Sequence, residues 1–179
     1  MKLPTRKQCI EILDEHNVPE NIKQHTFAVN KVAIFLAKKL KEAGEEVDID
    51  LVDRASLLHD LDKIPTLNTG MHGKLAQEIL SKKGYPLIAE IVCKHKLSSI
   101  RDGGLRTWEE KIVNYADKRC KDETIVLLEE RFHDLRERYK ESIYSDSEKL
   151  EKLFLELEKE IFNIIGIKPE DLKKFVKKE

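Results

Sequence analysis

Residues 55–63 read Ala55-Ser56-Leu57-Leu58-His59-Asp60-Leu61-Asp62-Lys63, an apolar run that closes on an imidazole, two carboxylates and an ammonium. Groups of this kind are costly to bury unless a metal, a ligand or one another holds them. Neighbouring residues diverge by about 100° around a helix, so His59 and Asp60 can share one ion only near a helix end. Ile64-Pro65 supplies such an end, because proline disfavours helix at the residue before it.

Further polar residues recur on apolar stripes elsewhere. His25, Val29, Val32 and Leu36 stand at i, i+4, i+7 and i+11 of a helix expected from Glu20 to about Ala43, closed by Gly44. His72 opens an expected helix with Ala76 and Ile79 at i+4 and i+7, ending at Gly84. Ile88, Ile91, Val92 and His95 follow the same spacing in a helix begun by Pro86. Asp117 lies between Val113 and Cys120 in a helix expected from about Thr107 and continuing through Ile125, Leu128 and Phe132 to about Tyr139.

A lone histidine on an apolar stripe is ordinarily a hydrogen-bonded core residue. His16, in the last turn of an expected helix over residues 5–16, is read that way, as a residue favoured by the helix dipole. His25, His59, Asp60, His72, His95 and Asp117 differ because they come from five helices and all read inward. Four imidazoles and two carboxylates form a ligand set for a divalent transition metal, and Fe, Mn, Co, Ni and Zn all suit it. Six ligands exceed one tetrahedral site, and they suffice for two ions bridged by a carboxylate, for which Asp60 is the natural choice.

The positioning elements are helical throughout. Asp48-Ile49-Asp50 starts the helix that leads into His59, and Pro65, Asn68 and Gly70 mark an irregular loop from Lys63 to Gly70 beside the His-Asp pair. Ser145 and Glu148 have capping-box spacing ahead of a helix with Leu150, Leu153, Leu157, Ile161 and Ile164, and Pro169 opens a last short one. Strand signal is confined to the short Glu46-Val47-Asp48-Ile49 alternation. The expected fold is all-α, one domain over residues 1–179, with a motif-bearing core at about 20–130 and a C-terminal helical extension at about 140–179.

The 179 residues carry 33 basic and 34 acidic side chains, a net charge of −1, which gives no strong nucleic-acid signal and leaves local basic patches open. Cys9, Cys93 and Cys120 are far apart and lack C-x-x-C spacing, which argues against a disulfide framework or a zinc knuckle and fits a reducing compartment. No apolar stretch approaches the ~20 residues of a membrane span, and the N-terminus has no signal h-region. The expectation is a cytoplasmic protein without membrane association, with homo-oligomerisation left open.

The ordered set His25, His59-Asp60, His72, His95 and Asp117, with Leu57-Leu58-His59-Asp60-Leu61-Asp62-Lys63 and Tyr115-Ala116-Asp117-Lys118, resembles the HD-domain metal-dependent phosphohydrolase superfamily, in its small HDIG-type branch. The resemblance covers roughly residues 20–130 and implies an α-helical fold. It implies that His25, His59, Asp60 and Asp117 bind a first metal, and that His72 and His95 bind a second with Asp60 bridging. Asp62 stands where the HDIG pattern has glycine, a departure expected to bear on the loop and on branch assignment.

The expected function is hydrolysis of a nucleotide or other phosphate ester by a metal-activated water, with Asp60 and Lys63 in the chemistry. Lys63 is a candidate phosphate binder or acid for the leaving group, and Lys96, Lys118 and Arg119 are further candidate substrate contacts. The alternative is a nucleotide-sensing module that keeps the ligand cage and regulates a partner through a surface such as Arg131, Phe132, Arg136 and Arg138. A scaffold with a purely structural metal fits less well, given the cost of burying six such ligands.

Overall fold

The computed structural model describes residues 2–138 and 147–177. The expected Ser145–Glu148 capping box begins outside the described residues.

Thr5 caps α1 (Arg6–Glu15) through a capping box with Gln8, and His16 forms its C-cap. The long α2 (Glu20–Glu42) runs through the centre of the molecule and buries Val29, Val32, Ala33, Phe35, Leu36 and Leu40. Asp48 caps α3 (Ile49–Leu58) by accepting the Leu51 N–H at 3.0 Å. Leu51, Val52, Ala55, Leu57 and Leu58 leave this short helix almost wholly inside the core. It packs against α1, α2, α5 (Pro86–Cys93) and α6 (Trp108–Lys118), which is why its apolar residues are not confined to one stripe. Between them lie α4 (Lys74–Lys82), packed on α5, and a 3₁₀ segment at Leu97–Gly103.

The helix expected from Thr107 to Tyr139 is broken. Thr107 does cap α6, with Glu110 completing a capping box, but α6 ends at Lys118. A two-stranded antiparallel hairpin follows, β1 (Cys120–Lys121) and β2 (Thr124–Ile125), with Cys120 opposite Ile125. Its turn places Asp122 at φ 51°, a left-handed conformation that aspartate tolerates better than most residues. The chain resumes as α7 (Leu128–Arg138), whose Phe132 is fully buried against Phe154 and so is not available to a partner surface.

The remaining elements, α8 (Ser147–Ile165), a 3₁₀ turn at Pro169–Asp171 and α9 (Leu172–Val176), lie over α2, α6 and α7. Phe154, Ile161 and Leu172 are fully buried there. Among the described residues no helix is long and apolar enough to cross a membrane. Cys9 and Cys120 are buried free thiols and Cys93 is partly buried. Burial pushes the Cys120 thiol up to about 12 and the Cys9 thiol up to about 11, against the pull of nearby arginines.

Candidate metal centre

Four of the six expected ligands lie just outside a helix end rather than within a helix. After Leu58 the backbone tightens, with Leu61 N–H bonded to Leu58 O and Lys63 N–H to Asp60 O, so His59 and Asp60 sit in successive tight turns. His95 follows the C-cap of α5. His72 precedes α4 by a turn that needs Gly73, whose φ is +81° and whose added Cβ would stand 3.2 Å from Cys93 O. Only His25, on α2, and Asp117, on α6, are helical. Turn positions free the side chains from the 100° spacing and let adjacent residues face one point.

The four imidazoles stand in a row, with ring centroids 5.5 Å apart for His25 and His59, 5.2 Å for His59 and His95, and 4.6 Å for His95 and His72. Each donates its Nδ1–H outward: His25 to Asp122 O at 2.8 Å, His59 to Ser56 O at 2.8 Å, His95 to Val92 O at 2.5 Å, and His72 to the Asp62 carboxylate at 2.9 Å. A carbonyl or carboxylate only accepts, so all four rings are oriented with Nε2 aimed inward. His59 Nε2 is fully buried with no hydrogen-bond partner.

Around those nitrogens Asp60 divides its two oxygens. Oδ2 lies 3.8 Å from His25 Nε2 and 3.6 Å from His59 Nε2, while Oδ1 lies 3.4 Å from His72 Nε2 and 3.7 Å from His95 Nε2. Asp117 Oδ1 completes the first group at 3.0 Å from His25 and 3.8 Å from His59. Donors held about 2.0 to 2.2 Å from one ion stand roughly 3.0 to 3.6 Å from each other, so the observed 3.0 to 3.8 Å brings the donors close to what two adjoining groups sharing Asp60 need to hold a metal. The orphaned His59 nitrogen and the converging Nε2 atoms show that a metal fits these residues.

The electrostatics agree. Burial pushes the Asp60 and Asp117 carboxyls up, but the groups facing them win: His59 and Lys63 for Asp60, and Lys118 with His25 and His59 for Asp117. Both stay well below the usual carboxylate range. Burial pulls the His59 imidazole down to about 4, so it is a neutral ligand at any ordinary pH. His72 goes the other way. Burial alone would lower it, but hydrogen bonds and charge from Asp60 and Asp62 raise it to about 9. Its Nε2 faces His95 Nε2 at 2.8 Å, a contact of two acceptors unless a proton or a cation lies between them.

That arrangement fixes a pH dependence. Without metal His72 carries the proton below about 9. A cation on Asp60, His72 and His95 must displace it, so affinity for this second ion falls as pH drops below that value. Titration calorimetry at neutral pH in buffers of different ionisation enthalpy is expected to show release of about one proton with the second ion, and none well above pH ~9. A second-ion affinity flat across that range would refute the shared-proton arrangement.

Asp62 was not among the expected site residues, and it bears on the ligands rather than only on the loop. Its carboxylate is fully buried and accepts from His72 Nδ1, from Gly73 N–H at 2.8 Å and from Ala76 N–H at 2.9 Å. It both orients a ligand and caps α4, a helix whose own N-cap glycine has no side chain to offer. The sequence signal was a second carboxylate two residues after Asp60 inside an apolar run. Asp62→Asn is expected to weaken the second ion about 10- to 100-fold while leaving the first, read by metal titration. Equal loss at both sites would contradict this division. The carbonyls of Asp122, Ser56 and Val92 had no sequence signal, since any residue type supplies one.

Of the expected substrate contacts, Lys63 stands at the centre. Its Nζ is 2.5 Å from Asp60 Oδ2 and its side chain is 39% exposed. Lys96 directly follows His95, with its carbonyl held by Asn114 at 2.9 Å and its side chain half-buried. Two expectations are corrected. Lys118 is buried, and its ammonium donates to Asp117 and, at 3.1 Å, to His95 O, so it braces two ligands and does not meet a substrate. Arg119 turns the opposite way, 1% exposed, donating to Val126 O, to Pro169 O, to Glu158 and to the Tyr115 hydroxyl.

An all-α bundle that gathers four histidines and two aspartates into adjoining groups able to hold a metal is the form of the HD-domain metal-dependent phosphohydrolase superfamily. Residues 22–122 match the HD domain family, and the chain belongs to it. The family's members bind divalent metals. The chain is 36% identical over 111 residues to an uncharacterized protein of Methanocaldococcus jannaschii, covering 55% of this chain and 65% of that one. It is also 31% identical over 141 residues to a tRNA (cytidine(56)-2'-O)-methyltransferase of Picrophilus torridus, covering 72% of this chain and 40% of that one. It thus spans less than two thirds of either relative's length. No solved structure matches the chain.

Proposed function

We propose that the protein hydrolyses a nucleotide or a closely related phosphate ester at a centre that takes two divalent ions. The observation that carries this reading is Asp60, whose two oxygens face separate ligand groups, His25, His59 and Asp117 on one side and His72 and His95 on the other. Cations bound there would supply a water acidified toward neutrality and compensation for charge on the phosphoryl oxygens.

The chain's own residues do the rest. Asp60 and Asp117 stay ionised and the four imidazoles keep Nε2 aimed inward. Burial would lower the Lys63 ammonium, but Asp60 and Asp117 hold it above its ordinary range. A proton held that firmly makes Lys63 a phosphate binder rather than an acid for the leaving group. Its partial exposure gives it a path from Asp60 to an incoming phosphoryl oxygen. The similarity to a protein named for methylating a tRNA cytidine supports a ribonucleotide as the substrate class.

The test is chelator-treated protein reloaded with Mn, Fe, Co, Ni or Zn and assayed on nucleoside monophosphates, cyclic and oligophosphates. Metal-dependent release of phosphate or nucleotide is the expected result. Tight metal and nucleotide binding with no turnover under any metal would replace the hydrolase by the sensing module. The double variant His72→Ala/His95→Ala is expected to keep one ion per chain and lose most turnover. If it keeps both ions and binds phosphate poorly, the two histidines are substrate contacts.

A further inference from the structure

A cavity of about 880 Å³ opens between α2, the β1–β2 hairpin and α9, and none of its lining residues belongs to the metal centre. One stripe of α2 supplies Phe27, Lys31, Ile34 and Lys38, while α9 and the residue after it supply Lys173, Val176 and Lys177. Four ammonium groups therefore meet one carboxylate, Glu123, in a chain whose net charge is −1. Lys31, Lys173 and Lys177 have no carboxylate within ion-pair distance among the described residues. Lys31, Lys173 and Lys177 repel one another around this concave surface, and an anion relieves that repulsion.

The floor narrows the kind of anion. Phe27, Ile34, Ile125 and Val176 are only partly buried and line the cavity, offering an aromatic face and aliphatic surface to a flat ring. The volume falls in the range of small-ligand pockets. We propose that this cavity is a second binding site, separate from the metal centre, for a nucleoside polyphosphate, with the base on Phe27 and the phosphates between the lysines of α2 and α9. Glu123, on the hairpin, sits opposite and disfavours a ligand whose charge extends to that wall.

The hairpin links this site to the metal centre. Thr124 and Ile125 form part of the cavity wall, and the Asp122 carbonyl in the same hairpin holds the His25 ring. A ligand that fixes the hairpin therefore acts on the backbone that sets the tautomer of a metal ligand.

The test is calorimetry of chelator-treated full-length protein with ATP, so that metal bridging to the catalytic centre is removed. One ATP per chain is expected, weakening steeply with added salt. Lys31→Glu combined with Lys173→Glu, both exposed positions, should weaken binding ten-fold or more with an unchanged circular dichroism spectrum. Phe27→Leu should weaken ATP while leaving inorganic tripolyphosphate unaffected, and Lys63→Gln should leave ATP binding as it was. ATP affinity untouched by the lysine pair, or lost on Lys63→Gln, would overturn the site. Tripolyphosphate matching ATP, with Phe27→Leu silent, would overturn the nucleoside assignment.

Discussion

Replacing Asp60 by alanine is expected to strip both ions from the protein and end metal-dependent turnover, while the helical fold survives. Asp60 is the one side chain that faces both ligand groups, so its loss leaves His25, His59 and Asp117 on one side and the His72 and His95 rings on the other. The second group is then without any carboxylate of its own, and neutral histidines alone compensate none of a divalent charge. Fold should be retained because burial opposed the Asp60 charge in the first place, and Lys63, its closest partner, is exposed enough to turn to water. Metal analysis, circular dichroism and the nucleotide assay read the three consequences. Retained turnover would remove Asp60 from the mechanism. Loss of one ion alone would show that Asp60 does not bridge.

The second large effect is on stability and comes from Arg119. Its guanidinium is buried and donates to Val126 O at 2.7 Å, to Pro169 O at 2.9 Å and to Glu158 at 3.0 Å. Arg119→Ala leaves two buried carbonyls without their donor and Glu158 without its counter-charge, with only the Tyr115 hydroxyl still donating to it. Breaking a buried pair from one side costs about 3 to 5 kcal/mol. For a chain of this size that corresponds to a fall in melting temperature of roughly 6 to 20 °C. KM for substrate should be little changed at a temperature where the variant remains folded. Arg119→Met with Glu158→Leu should recover only the part due to the unpaired Glu158 charge, since the two carbonyls and the buried Tyr115 hydroxyl still lack partners. A raised KM with an unaltered melting curve would restore Arg119 as a substrate contact.

These two residues show what was legible in the sequence. His25, His59, Asp60, His72, His95 and Asp117 were readable because each interrupts an apolar pattern, and polar residues that must be buried for a ligand break periodicity whatever backbone carries them. The backbone itself was read less well. His72 and His95 continue helical spacing but lie in turns, because a helix and the turn flanking it present similar patterns over one or two residues. The hairpin at Cys120–Ile125 was missed since its cause, a left-handed Asp122, leaves little trace beside helix-compatible neighbours. For Lys118 and Arg119, charge and position beside Asp117 were legible, and not direction. Direction is set by the 3₁₀ turn at Pro169–Asp171 and by Glu158 on α8, some 40 to 50 residues away in the chain.

The staple made by Arg119 also sets the size of the piece that evolution or an engineer can move between proteins. The family match closes at residue 122, before α7, α8 and α9. A fragment cut there would keep every metal ligand and would also keep a guanidinium two residues after Asp117, with Glu158, Pro169 and Val126 all gone. That cation would then seek water by unwinding the end of α6, and Asp117 would leave the centre with it. Grafting the ligand-bearing helices alone into another scaffold should therefore fail unless Arg119 is changed at the same time, whereas a graft carrying the C-terminal helices brings its own counter-charge.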